Sequence, residues 1–313
     1  MKKCFSIILV VVITLSFLSG CTRNNNEVGY DVPDSITPLM WHVTSPTGQT
    51  MYLFGSIHVA EELIYPLPAF IMDAFARSEY LAVEIDLLAF VNDPEMQEYI
   101  SARLMRQDGL TLADDIGEEL VARMSEVLTE EGSGYLINML DMMKPIFWEM
   151  FLLQIATERA GMSMEFGLDL YFLVAAAERD MEVLEVESFE KQMDMLLGLS
   201  MPLQAFLIEA SLDIEQTAQE LLAMYEAWKQ GDEQFFVYLF SNENLGMPEE
   251  LFAEYIDALL TQRDLLMVEV ARQYMHDGKS VFFVVGLGHM IGKNGIVEQL
   301  RRHGYTVEQI SGL

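Results

Sequence analysis

Only two of the 313 residues are cysteine, Cys4 and Cys21, and beyond position 21 the chain carries no thiol at all. Disulfides, thiolate metal sites and cysteine nucleophiles are therefore excluded from everything that follows. Positive charge is also scarce: 18 Lys and Arg face 49 Asp and Glu, giving a net charge of −31. Phosphate binding depends on basic side chains neutralising the backbone, so nucleic acid is excluded as a partner, and docking on anionic lipid through protein charge is disfavoured. Several catalytic starting points are missing too. There is no Gly-x-Ser-x-Gly elbow and no P-loop, and His58-Val59-Ala60-Glu61-Glu62 lacks the second histidine that helical zinc-protease motifs require. No repeat of solenoid length is visible.

The first residues read as a processing segment. Lys2 and Lys3 supply a positive start and Phe5 to Phe17 an apolar run. Breaks at Ser16, Ser19 and Gly20 leave it short of the roughly 20 apolar residues of a spanning helix. Leu18-Ser19-Gly20-Cys21 resembles the lipobox of bacterial lipoproteins. That resemblance implies removal of residues 1–20, acylation of Cys21 with at least a diacylglyceryl group, and a protein lipid-anchored to the cell membrane on its extracytoplasmic face. Two acyl chains anchor stably where one does not. The polar stretch 21–36 reads as a tether and 37–313 as the folded domain.

The whole chain is 51% hydrophobic, enough for a large core. Met51 to Phe54, Tyr80 to Val83, Glu182 to Glu187, Ser280 to Val285 and Tyr305 to Ile310 read as strands. Helical spacing between the first two, and again between the last two, predicts βαβ units and parallel strands at both ends of the chain. Between them, about 93–180 and 190–273 read as helices. The expected fold is α/β, with a central, mainly parallel sheet and a large helical insertion.

Open parallel sheets bind ligands at the carboxyl ends of their strands, and His58, Glu84, Glu187 and His289 each fall at or just past such an end. Two imidazoles plus carboxylates suit a borderline divalent cation such as Mn²⁺, Co²⁺ or Zn²⁺, which with open coordination positions would activate water for hydrolysis. Gly55, Gly286 and Gly288 allow tight turns and close backbone approach beside the histidines. Each histidine could equally be a satisfied residue near the core edge, but two matched Gly-x-x-His turns favour function. Glu84 and Asp86 could be solvated strand-end residues, and Glu187 competes with Glu182 and Glu185. His42, His276 and His303 read as surface or packing residues, and the many methionines as core filler.

Taken in order, Leu53-Phe54-Gly55-Ser56-Ile57-His58-Val59, Val83-Glu84-Ile85-Asp86, Lys144-Pro145, Gly167-Leu168-Asp169, Glu187 with Gln192, Gly231-Asp232, Arg263, and Gly286-Leu287-Gly288-His289-Met290-Ile291-Gly292 resemble the motifs of the TraB/GumN family, which includes the Tiki-type metalloproteases. Asp264 departs from the asparagine usual after the arginine, and Leu287 from a small residue. The resemblance implies a divalent-metal-dependent peptidase; other relatives are named for shutting down peptide pheromone signalling, and the wider superfamily resembles haem-binding lipoproteins and erythromycin esterases. Fold membership alone does not decide the reaction.

The leading expectation is a membrane-tethered, extracytoplasmic metal-dependent hydrolase, a peptidase acting on peptides or protein segments. His58, Glu84 and His289 would hold the metal, Glu187 would bind it or act as general base, and Arg263 would steady an oxyanion or orient a carboxylate, with Asp86 and Asp169 as further candidates. The alternative is a non-catalytic lipoprotein that binds a peptide or a haem-like ligand; a third is an envelope protein whose metal is structural.

Overall fold

The computed structural model describes residues 36–91 and 93–310. The expected signal segment, Cys21 and all but the last residue of the tether lie outside the described residues. The domain is mixed α/β: one six-stranded, mostly parallel sheet with many helices. Its strands are β1 (Met40–Thr44), β2 (Thr50–Ser56), β3 (Tyr80–Val83), β4 (Glu182–Glu185), β5 (Val281–Gly286) and β6 (Thr306–Ile310), in the order β4-β3-β5-β2-β1-β6. The contacts β2 to β5, β5 to β3 and β3 to β4 are parallel, and β1 runs against both β2 and β6.

Strand β5 reads Val-Phe-Phe-Val-Val-Gly, with every residue from Val281 to Val285 buried. Such an unbroken apolar run is what a central parallel strand covered on both faces demands. The hairpin partner β1 was not expected from the sequence. It is short, but a turn bonded from Gly48 N–H to the Ser45 carbonyl returns the chain and pairs Met40 with Phe54. Strand β4 ends at Glu185, two residues before the end expected for it, and Glu187 lies in the turn beyond, where its N–H still donates to the Glu84 carbonyl.

An aromatic cluster seats helices on the sheet. Phe172, from the helix Leu168–Ala177, meets Phe282 with ring centroids 4.9 Å apart and Phe75, from the helix Ala69–Arg77, at 5.2 Å. Each fully buried ring contributes about 1.5–3 kcal/mol through burial alone. Trp228, in the helix Ile214–Gln230, donates from Nε1 to the Gly55 carbonyl at 2.8 Å and so pins that helix to the end of β2.

Register then fixes where chemistry can occur. Ser56 is level with Gly286, and Val83 with both Val284 and Glu185. The residues that follow these strands therefore emerge along one edge of the sheet, the carboxyl edge.

Candidate functional site

The sheet edge brings His58, Glu84, Glu187 and His289 together, although Glu84 and Gly286 stand 202 positions apart along the chain. His58 follows β2 and faces Asp169, its Nδ1 2.8 Å from Oδ2. Asp169 lies in the first turn of the helix Leu168–Ala177, where its other oxygen accepts from Ser56 Oγ at 2.9 Å. The start of that helix presses on the histidine: a Cβ at Gly167 would lie 2.2 Å from the His58 carbonyl oxygen. Burial works against a charge on the His58 ring, but Asp169, followed by Glu84, outweighs it and raises the pKa.

His289 repeats the pattern from the other side. It sits in the short helix Leu287–Met290 after β5, is buried, and places Nδ1 2.7 Å from Asp264 Oδ1. Burial raises the Asp264 carboxyl above the usual range, with His289 opposing. Both imidazoles thus have Nδ1 against a carboxylate, an arrangement that fixes the ring and leaves Nε2 with its lone pair when Nδ1 carries the proton.

Glu84 lies between them. Its Oε1 accepts from the Gly286 N–H at 2.8 Å and stands 3.9 Å from His289 Nε2, while Oε2 accepts from Arg263 Nη2 at 2.6 Å and Gln192 Nε2 at 3.1 Å. Burial alone would push Glu84 up, yet Arg263 and the two histidines hold it well below the usual carboxylate range. Glu187 is gripped just as firmly, by Arg263 Nη2 at 2.6 Å, Arg263 Nε at 3.0 Å and Gln192 Nε2 at 3.0 Å. Arg263 also donates from Nη1 to the Leu259 carbonyl at 3.3 Å; burial works against its charge, but Glu84 and Glu187 outweigh it and raise the pKa. One N–H of Nη1 is left for a ligand in the cavity that Arg263 lines.

The expected glycines earn their places by close approach rather than by unusual backbone angles. A Cβ at Gly55 would meet Leu287 Cδ1 at 2.5 Å, and one at Gly288 would lie 2.9 Å from the Phe240 ring. At Gly286 a Cβ would stand 3.4 Å from both His58 Nε2 and Glu84 Oε1 and 3.8 Å from His289 Cδ2. The missing side chain leaves a small space bounded by these three residues.

Asp86 is not part of this cluster. Its Oδ1 accepts from the N–H groups of Leu88 and Ala89, capping the helix Leu87–Val91, and its own N–H donates to Glu185 Oε1. Sequence reasoning missed the role of Asp264, noted only as a departure from a motif, and that of Ser56. Among the described residues, no three His, Cys, Asp or Glu side chains are already arranged as a metal-holding group. The chemistry of the donors nonetheless fits a divalent cation. Glu84, Asp169, Glu187 and Asp264, all buried, face a single guanidinium and two imidazoles, so added positive charge would relieve buried carboxylates.

The family model described as "TraB/PrgY/gumN family" matches residues 39–309. The uncharacterised protein YbaP of Escherichia coli (strain K12) is 26% identical over 265 residues, covering 83% of this chain and 90% of the relative. Metalloprotease TIKI1 of Homo sapiens is 26% identical over 308 residues, covering 82% of this chain but 59% of the relative. Metalloprotease TIKI1 of Danio rerio is 24% identical over 344 residues, covering 93% and 65%. The match thus spans less than two thirds of these metalloproteases. No solved structure matches.

Proposed function

The chain belongs to the TraB/PrgY/gumN family, and from that premise we propose that it is a metal-dependent hydrolase, a peptidase tethered through Cys21 to the extracytoplasmic face of the cell membrane. The observation that carries this reading is the space beneath Gly286, bounded by His58, Glu84 and His289, with each histidine backed by its own carboxylate. These three residues would hold Mn²⁺, Co²⁺ or Zn²⁺, which when bound supplies Lewis-acid activation of water and of the amide carbonyl. In the overall reaction water adds across the amide and releases a carboxylate and an amine. The metalloprotease relatives support a peptide or protein segment as substrate.

The protein's own groups divide the remaining tasks. Asp169 and Asp264 orient the rings. Arg263 offers its remaining Nη1–H to the oxygen that gains charge as the amide is attacked. Glu187, whose two oxygens both accept from Arg263, is better placed to steady that guanidinium than to take up a proton. A non-catalytic lipoprotein is the second reading, favoured by the closure of Arg263 and Gln192 on both glutamates; the cavity of about 90 Å³ favours a peptide side chain over a haem-sized ligand.

Elemental analysis after loading with Mn²⁺, Co²⁺ or Zn²⁺ tests the proposal. One metal per chain is expected, lost in the folded His58→Ala/His289→Ala double variant, with chelator-sensitive cleavage of a peptide pool. No metal uptake, or cleavage that persists in the double variant, overturns it. The tether is tested separately: Cys21→Ala should move the protein from the membrane fraction to the soluble one.

A further inference from the structure

The cavity beside the histidine pair is polar at one end only. His58, Arg263 and His289 stand at that end, while Phe236, Leu239, Phe240, Tyr255, Leu259 and Leu260 form half of the remaining lining. These six come from the helix Glu233–Leu239 and its C-cap Phe240, the helix Glu249–Ile256 and the π-helical turn Asp257–Thr261, none of which supplies a carboxylate, imidazole or guanidinium to the cluster. A concave apolar lining with a few polar groups gathered at one end is what a ligand site needs and a solvent cleft does not. No basic side chain lies on the apolar wall to receive an acidic group.

The dimensions narrow the occupant. The cavity is about 90 Å³, the scale of a single side chain and far below the roughly 300–1,000 Å³ of a pocket for a drug-sized ligand. Phe240 limits it directly, since its ring lies close enough to Gly288 that a Cβ there would stand 2.9 Å away. We propose that this cavity is the side-chain pocket of the site, selecting peptides that carry a leucine-, isoleucine- or methionine-sized aliphatic residue next to the cleaved bond, with Phe240 and Leu260 setting the size limit. The peptide nature of the ligand rests on the hydrolase reading. The preference for an uncharged aliphatic group rests on the lining alone.

Two measurements on the metal-loaded full-length chain separate these layers. In the first, peptides are varied through Gly, Ala, Leu, Met, Phe, Trp and Asp on either side of a cleaved bond. In the second, binding of N-acetyl-leucine methylamide is compared with its glycine and aspartate counterparts by calorimetry, without turnover. One methylene in an apolar pocket is worth about 10-fold or more in discrimination, so Leu and Met should exceed Gly and Asp in kcat/KM by at least about 10-fold. Phe240→Ala should move the preference towards Phe and Trp. Should that variant fail to fold, Leu260→Trp reads the same pocket and should abolish the preference for Leu. Cleavage without side-chain preference overturns the pocket and leaves the hydrolase reading intact. Leucine-selective binding without cleavage, lost in Leu260→Trp, supports the pocket and sinks the hydrolase reading. Neither cleavage nor selective binding overturns the pocket.

Discussion

Glu149 lies in the helix Pro145–Arg159 with none of its surface exposed, and neither carboxyl oxygen has a hydrogen-bond partner in the protein. Burial, next to the buried phenol of Tyr255, pushes its pKa well above the ordinary value of 4.5 and so favours the neutral acid in the folded protein. The sign of the linkage follows. A carboxyl whose folded pKa is raised contributes its full stability below the unfolded pKa and loses it as pH rises through the folded pKa. Each pH unit in that window costs about 1.4 kcal/mol. Glu149→Gln has the same shape and cannot ionise, so it removes the slope. Urea unfolding of both proteins at half-unit intervals from pH 4.5 to 8 measures it. The variant should gain on the wild type by about 1.4 kcal/mol per pH unit, and the gain should level off above the folded pKa. Parallel stability curves for the two proteins would refute the reasoning, because they would mean that the group is solvated or paired.

Asp169→Asn and Asp264→Asn should each weaken metal binding by about 10–100-fold while leaving the fold intact, as read by chelator competition and thermal unfolding. Gly286→Ala places a methyl group against His58 Nε2 and Glu84 Oε1; metal stoichiometry should collapse, with the melting temperature of the metal-free protein nearly unchanged. Arg263→Met leaves Glu84 and Glu187 as an uncompensated buried pair and should cost about 3–5 kcal/mol in chemical denaturation.

The legible parts of the site were those that depend on a strand and the turn after it. His58 and His289 announced themselves because each follows an apolar run and a glycine, and both side chains lie at the sheet edge. Local pattern could not say which carboxylate at each strand end faces the site. Glu84 and Asp86 are two residues apart, yet Glu84 turns to Arg263 and Gly286 while Asp86 caps a helix. Likewise Glu187 meets Arg263, whereas Glu185 bonds to the Asp86 N–H. Asp264 stood out only as a departure from a motif, with nothing in the local pattern to pair it with His289. It reaches His289 from the start of the helix Gln262–His276, directly after the π-helical turn Asp257–Thr261, whose wider winding alters the direction of every residue that follows.

The amino-acid sequence by itself determined five of the six strands, the carboxyl-edge position of the two histidines and the absence of thiol chemistry beyond Cys21, because periodicity, turn residues and composition act over a few positions at a time. Tertiary structure decided the pairings of His58 with Asp169, His289 with Asp264, and Arg263 with Glu84 and Glu187. Those partners are brought together by strand register and by the placement of the helices Leu168–Ala177 and Gln262–His276 at the sheet edge, and such long-range geometry leaves no trace in local spacing.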